Sequence, residues 1–460
     1  MLPNIILSSF ASSIIRYRLI VIIISIFSIG FAWQISRDLV FNNSNEMWFL
    51  EDDRTLLDYQ NLLELFGDDE FVAIGIENRD KSSVFQTETI ETISKITNFL
   101  TDLDHITKVQ SLSKVEIITG ANDVLTVEKL LEKPDMTLEE FKSKKEIALN
   151  DRLIKDFLIT DDATFSLIYA RIIHVEGSIT HKVELSQKIQ AFLENLPDKK
   201  KFHFYFAGGP ALDESFLTTF KRDQSFLIPL VLIMITLVLF YSFRSISGVL
   251  LPLIVIVGTV ILVYGFMALM NHDLNILNAI VPIIILAIGL ADAVHILVDY
   301  YHEISMGRNS EKAAENTIIN LFTPCLFTSL TTSISFLAFT TSRIVPLKEL
   351  GQQSAFGVFV AFILSITFLP ALLSYIKAKD LKAKKITQEN IFFNLFIKIA
   401  KFTPDQNKII LLTYGILSFF LIYFTFQVKV DANAMNYFTD NATVKIHTQY
   451  IDSRLKGTLN

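Results

Sequence analysis

Asp292 and His295 stand well inside an apolar run, Ile283 to Tyr300 (IIILAIGLADAVHILVDY). A carboxylate near a bilayer centre costs about 2.5–3.5 kcal/mol on insertion scales, so by default it marks an ion or proton path. At about 100° per residue, Asp292, His295, Asp299 and Glu303 return to one helix face. Burial favours the neutral form of a carboxyl group, so a carboxyl in such a place can load and release a proton. The relay expected from these residues is Asp292, His295 and Asp299. The packing alternatives are plain. Asp292 could be satisfied by helix–helix hydrogen bonds, His295 could bond a neighbouring hydroxyl, and Asp299 and Glu303 could be solvated helix ends.

Hydroxyls cluster in the next apolar stretch, at Thr328, Ser329, Thr331, Thr332, Ser333 and Ser335. Such groups commonly bond their own backbone four residues back or hold helices together. The functional alternative has Thr328, Ser329, Thr331 and Thr332 solvating the Asp292 carboxylate or its proton path. Intramembrane aspartyl proteolysis is excluded, because a catalytic dyad needs two carboxylates in contact. No other apolar stretch holds a deeply placed aspartate. Gly208, Gly209 and Pro210 read as a backbone turn, since no Lys-Ser/Thr helix start follows to make a phosphate loop. The expectation is a protein that is not an enzyme, with no catalytic residues, cofactor, metal centre or nucleic-acid partner.

The elements that must carry these residues are membrane spans. Of 460 residues, 51% are hydrophobic and 19% charged, far more apolar than a soluble chain. Stretches near the ~20 residues that a span needs fall at about 19–35, 226–241, 249–270, 276–299, 321–341, 354–376 and 409–427. The second is short unless it extends back toward Phe220. Pro282 and Pro324 should kink their helices. The first span reads as an uncleaved anchor, being long for a signal peptide. The single cysteine, Cys325, lies within a span, so no internal disulfide can form.

The net charge of −7 hides segregation. Arg16, Arg18, Arg244, Arg308, Lys312 and the lysine-rich stretch 377–408 fall on one side of alternating spans, which the positive-inside rule makes cytoplasmic. Arg343 and Lys348 dissent mildly. The expected location is the bacterial inner membrane, with the N-terminus cytoplasmic and the long loop periplasmic.

That loop, 36–225, reads as a folded extracytoplasmic α/β domain. Strands are expected at 71–77, 164–175 and 202–207, and helices at 84–103 and 180–196. The alternation suggests two βαβ-type units. Between them, 120–160 reads as charged and helix-prone, broken at Pro134. The chain is thus expected to divide into the cytoplasmic N-terminus and first span (1–35), the α/β domain (36–225), spans two to six (226–376), a basic linker (377–408), span seven (409–427) and the truncated start of a second extracytoplasmic domain (428–460). Within the linker, 386–402 reads as a helix lying on the membrane surface or a simple connector.

The chain also begins to repeat. Leu39-Val40-Phe41 and Met47-Trp48-Phe49 follow the first span, as Val428-Lys429-Val430 and Asn436-Tyr437-Phe438 follow the seventh. Aligning Phe49 with Phe438 gives an offset of 438 − 49 = 389, which also superposes the two spans. Internal repeats are common in transporter folds.

Together these segments resemble the RND (resistance-nodulation-division) superfamily, in its MMPL or "predicted exporter" branch, related to Patched-like lipid transporters and sterol-sensing domains. The resemblance spans essentially the whole chain. It rests on Gly208-Gly209-Pro210-Ala211-Leu212, and on Phe243-Arg244-Ser245 with Gly248 and Leu251-Pro252-Leu253. Gly289-Leu290-Ala291-Asp292-Ala293-Val294-His295, Thr328 to Leu337 and Phe368-Leu369-Pro370-Ala371-Leu372-Leu373 complete it. Several relatives carry Asp-Tyr where this chain has Asp292-Ala293.

The resemblance implies a helical bundle of about seven spans with a porter-like α/β domain. It implies export, driven by the proton-motive force, of hydrophobic or amphipathic small molecules or lipids. It also implies a second half, so either this is a fragment or a second-half chain or homo-oligomer completes it. The alternative is a sterol-sensing-like, non-transporting lipid-binding module. Expected partners are membrane lipids, a hydrophobic or lipid substrate, and protons.

Overall fold

A computed structural model describes residues 4–50, 53–66, 70–121, 124–131, 136–173, 179–376, 391–429 and 433–455. The chain opens with α1 (Asn4–Arg16), α2 (Arg18–Ile35) and α3 (Arg54–Phe66). Then come β1 (Phe71–Asn78), α4 (Thr87–Thr101), β2 (Ile106–Gln110), β3 (Glu116–Ala121), β4 (Val124–Lys129), α5 (Leu138–Asn150), β5 (Phe165–Ile172), α6 (Thr180–Glu194) and β6 (Phe202–Gly208). The remainder is helical: α7 (Gly209–Phe243), α8 (Ile246–Leu269), α9 (Val281–Ser305), α10 (Ser310–Leu337), α11 (Val345–Ile366), α12 (Phe368–Leu373), α13 (Ile391–Asp405), α14 (Asn407–Thr425) and α15 (Thr443–Arg454).

Among the described residues, seven helical segments are long and apolar enough to cross a membrane: Arg18–Asp38, Gly209–Phe243, Ile246–Leu269, Asn278–Ser305, Ser310–Thr341, Val345–Leu373 and Asn407–Thr425. The second is not short. It runs unbroken for 35 residues, so the boundary expected at 225/226 falls inside a helix. The chain leaves β6 and enters α7 at once because Gly208 turns it, with φ +103°. A Cβ there would lie 2.2 Å from the Phe71 carbonyl oxygen, so only glycine fits. Pro210 follows in the first turn, where its missing N–H costs nothing.

Four strands form one sheet in the order β2-β5-β1-β6, and every neighbouring pair is antiparallel. Each strand–helix–strand unit, β1-α4-β2 and β5-α6-β6, therefore has a strand of the other inserted between its own two: a split βαβ pattern. The apolar front face, with Val72, Ile74, Ile76 and Ile168, packs on α4 and α6. On the back face, Gly75 leaves room for Phe165, whose ring would be 2.4 Å from a Cβ.

Strands β2, β3 and β4 were not among the expected elements. The stretch from 120 is not helical at its start but pairs as an antiparallel ribbon with β3. Its period-two signal, Ile117 buried beside exposed Ile118, is masked in the sequence by lysines and glutamates. Helix begins only at α5, where Thr137 and Glu140 cap each other reciprocally. Pro134 lies outside the described residues.

In the bundle, α9 is central and packs on α8, α10 and α11. Small residues set the close approaches. Gly357 faces Ile285, Gly258 faces Ile29, and Gly265 faces Ala32. Arg244, at φ 48°, reverses the chain between α7 and α8. Ser245 then caps α8, its Oγ accepting from Gly248 N at 3.0 Å and pairing with the Tyr301 hydroxyl at 2.7 Å. Pro282 kinks nothing: it sits in the first turn of α9. Pro324 does lie inside α10.

The repeat is visible in the elements themselves. Shifted by 389, α2 begins where α14 begins, at 18 and 407, and α1 ends where α13 ends, at 16 and 405. The short 3-10 turn Asn45–Trp48 maps onto Ala434–Tyr437, and α3 maps onto α15, starting at 54 and 443. The basic linker thus carries a helix, but it is the repeat's copy of α1. Residues 386–390 lie outside the described residues.

Candidate functional site in the α9–α10 seam

Helix α9 buries one arc against its neighbours, and Asp292 lies on it at 7% exposure. Ser329 Oγ of α10 donates to Asp292 Oδ2 at 3.2 Å. His295, one turn along, is exposed on the chain, yet its imidazole is within electrostatic reach of the carboxylate. Asp299 is half-buried and accepts from Asn320 Nδ2 at 3.2 Å. Glu303 is not a solvated end. It is buried, accepts from Asn316 Nδ2 at 2.6 Å and is paired with Arg308.

The three carboxylates therefore form a ladder. Each rung joins an acid on α9 to a neutral polar side chain on the antiparallel α10: Asp292 to Ser329, Asp299 to Asn320, Glu303 to Asn316. Among the described residues, each carboxylate has one neutral donor on α10, and Glu303 alone is ion-paired, with Arg308. The asparagines went unremarked in the sequence. The signal was there, as two amides four residues apart and hence on one face of α10.

The hydroxyl cluster separates cleanly. Thr328 donates to the Pro324 and Cys325 carbonyls, Thr331 to those of Phe327 and Thr328, and Thr332 to that of Thr328. Ser333 donates to the Ala355 carbonyl of α11 at 3.1 Å, which ties two helices together. Of the expected solvating group, Ser329 alone reaches Asp292.

A second polar knot lies where α8 turns into α9. Asn275 and Asn278 exchange backbone-to-side-chain bonds of 2.9 Å, and Asn278 Nδ2 donates to the Asp273 carbonyl at 2.7 Å. Asn42 Nδ2 donates to Asp273 Oδ2 at 3.1 Å, and His272 meets buried Gln353 at 3.4 Å. Burial holds His272 below its usual pKa. This knot clamps the segment after span one to the bundle. On the sheet side, Lys182 bridges Glu70 at 2.6 Å and Asp213 of α7 at 3.3 Å. Burial works against the Lys182 charge, but the two carboxylates outweigh it and raise the pKa.

The sequence model of the MMPL family matches residues 68–403, from the sheet through the bundle to α13. The chain belongs to the MMPL family, within the RND superfamily. It is also similar to a curated protein of Methanocaldococcus jannaschii named "Putative membrane protein MJ1562", with 23% identity over 367 residues. That match covers 77% of this chain and 89% of the relative. A multi-pass membrane protein of the MMPL family is thus what carries the α9–α10 ladder.

Proposed function

We propose that this MMPL protein exports hydrophobic or amphipathic small molecules or lipids out of the cytoplasmic membrane, driven by the proton-motive force. In this reading Asp292 takes up and releases the proton, His295 is its coupled neighbour, and Asp299 leads toward the cytoplasmic end. The α/β unit lies outside the membrane, where it guides substrate away, and a second half supplies the opposing face of the relay.

The carrying observation is Asp292 itself, a carboxylate buried in mid-span whose bonded partner is a neutral hydroxyl. A carboxylate kept only for packing would gain more from a cation, as Glu303 has in Arg308. The segregation of arginine and lysine supports the orientation.

The test is proton flux in vesicles reconstituted with the protein and loaded with a pH-sensitive dye, read beside movement of a fluorescent lipid. Asp292→Asn should abolish both while membrane abundance stays unchanged. Undiminished flux would sink the relay. One observation favours the passive lipid-binding module: among the described residues, the side chain bonded to Asp292 is the Ser329 hydroxyl and not a second carboxyl group. That reading requires lipid binding without flux, and binding that Asp292→Asn leaves intact.

A further inference from the structure

Two imidazoles meet in the α/β unit, outside the α9–α10 seam. His105 closes the turn between α4 and β2, and His181 stands in the first turn of α6. Their ring centroids are 5.4 Å apart, with the ring planes inclined at 54°. His105 is exposed and His181 half-buried, so the pair can be reached from solvent.

Both backbones are held. His105 has φ +67°, a left-handed conformation that side chains rarely adopt and that persists where the surroundings fix it, as at ligand clamps. Its carbonyl accepts from the Ile173 amide, just past β5, at 2.8 Å. Lys182, next to His181, is anchored by Glu70 at 2.6 Å and Asp213 at 3.3 Å, which fixes the turn that carries the second imidazole.

An edge-to-face pair held by packing alone has a similar reach, but between α4 and α6 that role falls to larger rings. Phe99 and Phe192 stack there at 3.8 Å with their planes 3° apart. Two imidazoles open to solvent gain little apolar burial from each other. They offer instead two nitrogen ligands from different elements, at the spacing a shared ion sets. A zinc ion sits about 2.0–2.1 Å from a histidine nitrogen, hence about 3.2 Å from the ring centroid, and a tetrahedral angle then puts two centroids about 5.2 Å apart.

We propose that His105 and His181 bind a divalent metal ion of the zinc and copper class, through one ring nitrogen each. Imidazole suits zinc, copper and nickel, whereas calcium and magnesium take oxygen ligands. Among the described residues no third His, Cys, Asp or Glu completes a cluster with them, so water fills the remaining positions and the ion is exchangeable. Asp102 and Asp104, exposed in the same turn as His105, add negative charge that favours a dication. The ion ties β1-α4-β2 to β5-α6-β6 and so stabilises the folded α/β unit by mass action. No metal centre was expected from the sequence, because nothing local brings the two histidines together. The proposal holds whether or not Asp292 moves protons.

The test titrates Zn2+ into the chelator-stripped full chain in detergent at about pH 7.5, where free imidazole, with a pKa of about 6.5, is neutral. Calorimetry reads the bound metal, and the melting temperature is compared with and without it. One equivalent should bind and raise the melting temperature, while Ca2+ does neither. His105→Gln and His181→Gln should each abolish the equivalent and the shift, and His203→Gln, on an exposed strand position, should keep both. His105→Cys restores a ligand and should recover binding, which separates a lost ligand from a lost fold. No uptake by the wild type, an equivalent that survives either Gln variant, or an equal loss in His203→Gln would overturn the proposal. So would an equal shift with Ca2+, or a loss in His105→Gln that His105→Cys does not restore.

Discussion

A polar side chain inside a membrane helix is defined by its direction, and direction is what a helical period gives only loosely. Asp292, His295, Asp299 and Glu303 were legible as one stripe, and the carboxylates do lie along one seam. His295 falls at its edge and is exposed, because the buried arc of α9 is fixed by where α8, α10 and α11 press, which no single helix records. The hydroxyls of α10 show the same limit more sharply. Six Ser and Thr side chains were equivalent in the sequence, while in the fold Thr328, Thr331, Thr332 and Ser335 bond their own helix, Ser333 bonds α11, and Ser329 alone reaches Asp292. Ser329→Ala should leave a buried carboxylate oxygen without its donor, costing about 1–3 kcal/mol and lowering any Asp292-dependent flux. Thr332→Ala, whose hydroxyl serves its own helix, should stay within about 0.5 kcal/mol of wild type. Melting temperature in detergent and flux in vesicles report both, and equal behaviour of the two variants would contradict the assignment.

Whole elements were legible where apolar periodicity was strong and hidden where charge diluted it. Strands β1, β5 and β6 and the spans stood out, while β2 and the β3–β4 ribbon did not. The covering of the sheet by α15 could not be read at all, since a contact across more than 200 residues leaves no local trace. That contact includes a titrating group. His447 Nδ1 accepts from the Phe206 amide on the outer edge of β6 at 3.1 Å, and burial holds its pKa below the usual value. Tyr205, whose ring meets the imidazole edge-on, lies nearest on the sheet. Glu77 and Lys81 sit by Tyr450, one turn along. A histidine with a depressed folded pKa stabilises fully above its unfolded pKa of about 6.5, and that contribution is lost as pH falls through the folded value. Seating of α15 should therefore weaken below about pH 6.5. Limited proteolysis at pH 7.5 and pH 5 should show faster cleavage around 443–455 at the lower pH. His447→Gln should flatten the difference, and a difference that survives the substitution would place the titration elsewhere.

At the scale of the molecule, the 389-residue offset was legible from a few aromatic positions, but its consequence was not. It suggested repeats laid end to end, whereas the structure shows α15, the shifted counterpart of α3, built onto the sheet. The sheet has two apolar faces, and α4 and α6 cover only one. The other would present Ala73, Phe165, Leu167 and Ala207 to water if α15 left. Span α14, which leads to α15, has no buried residue of its own, so it contributes little to holding the helix in place. The seat must be held by the helix face itself. Ile451→Asp places an unpaired carboxylate in that seat and removes a fully buried side chain, a change that costs about 2–5 kcal/mol. The expected result is loss of the cooperative melting of the α/β unit and ready proteolysis of β1 and β5, with the α8–α11 bundle still intact and extractable. Ile446→Asp, on the exposed side of the same helix, should melt like wild type. If Ile451→Asp also melts unchanged, α15 is only resting on the sheet, and the two repeats are not interlocked.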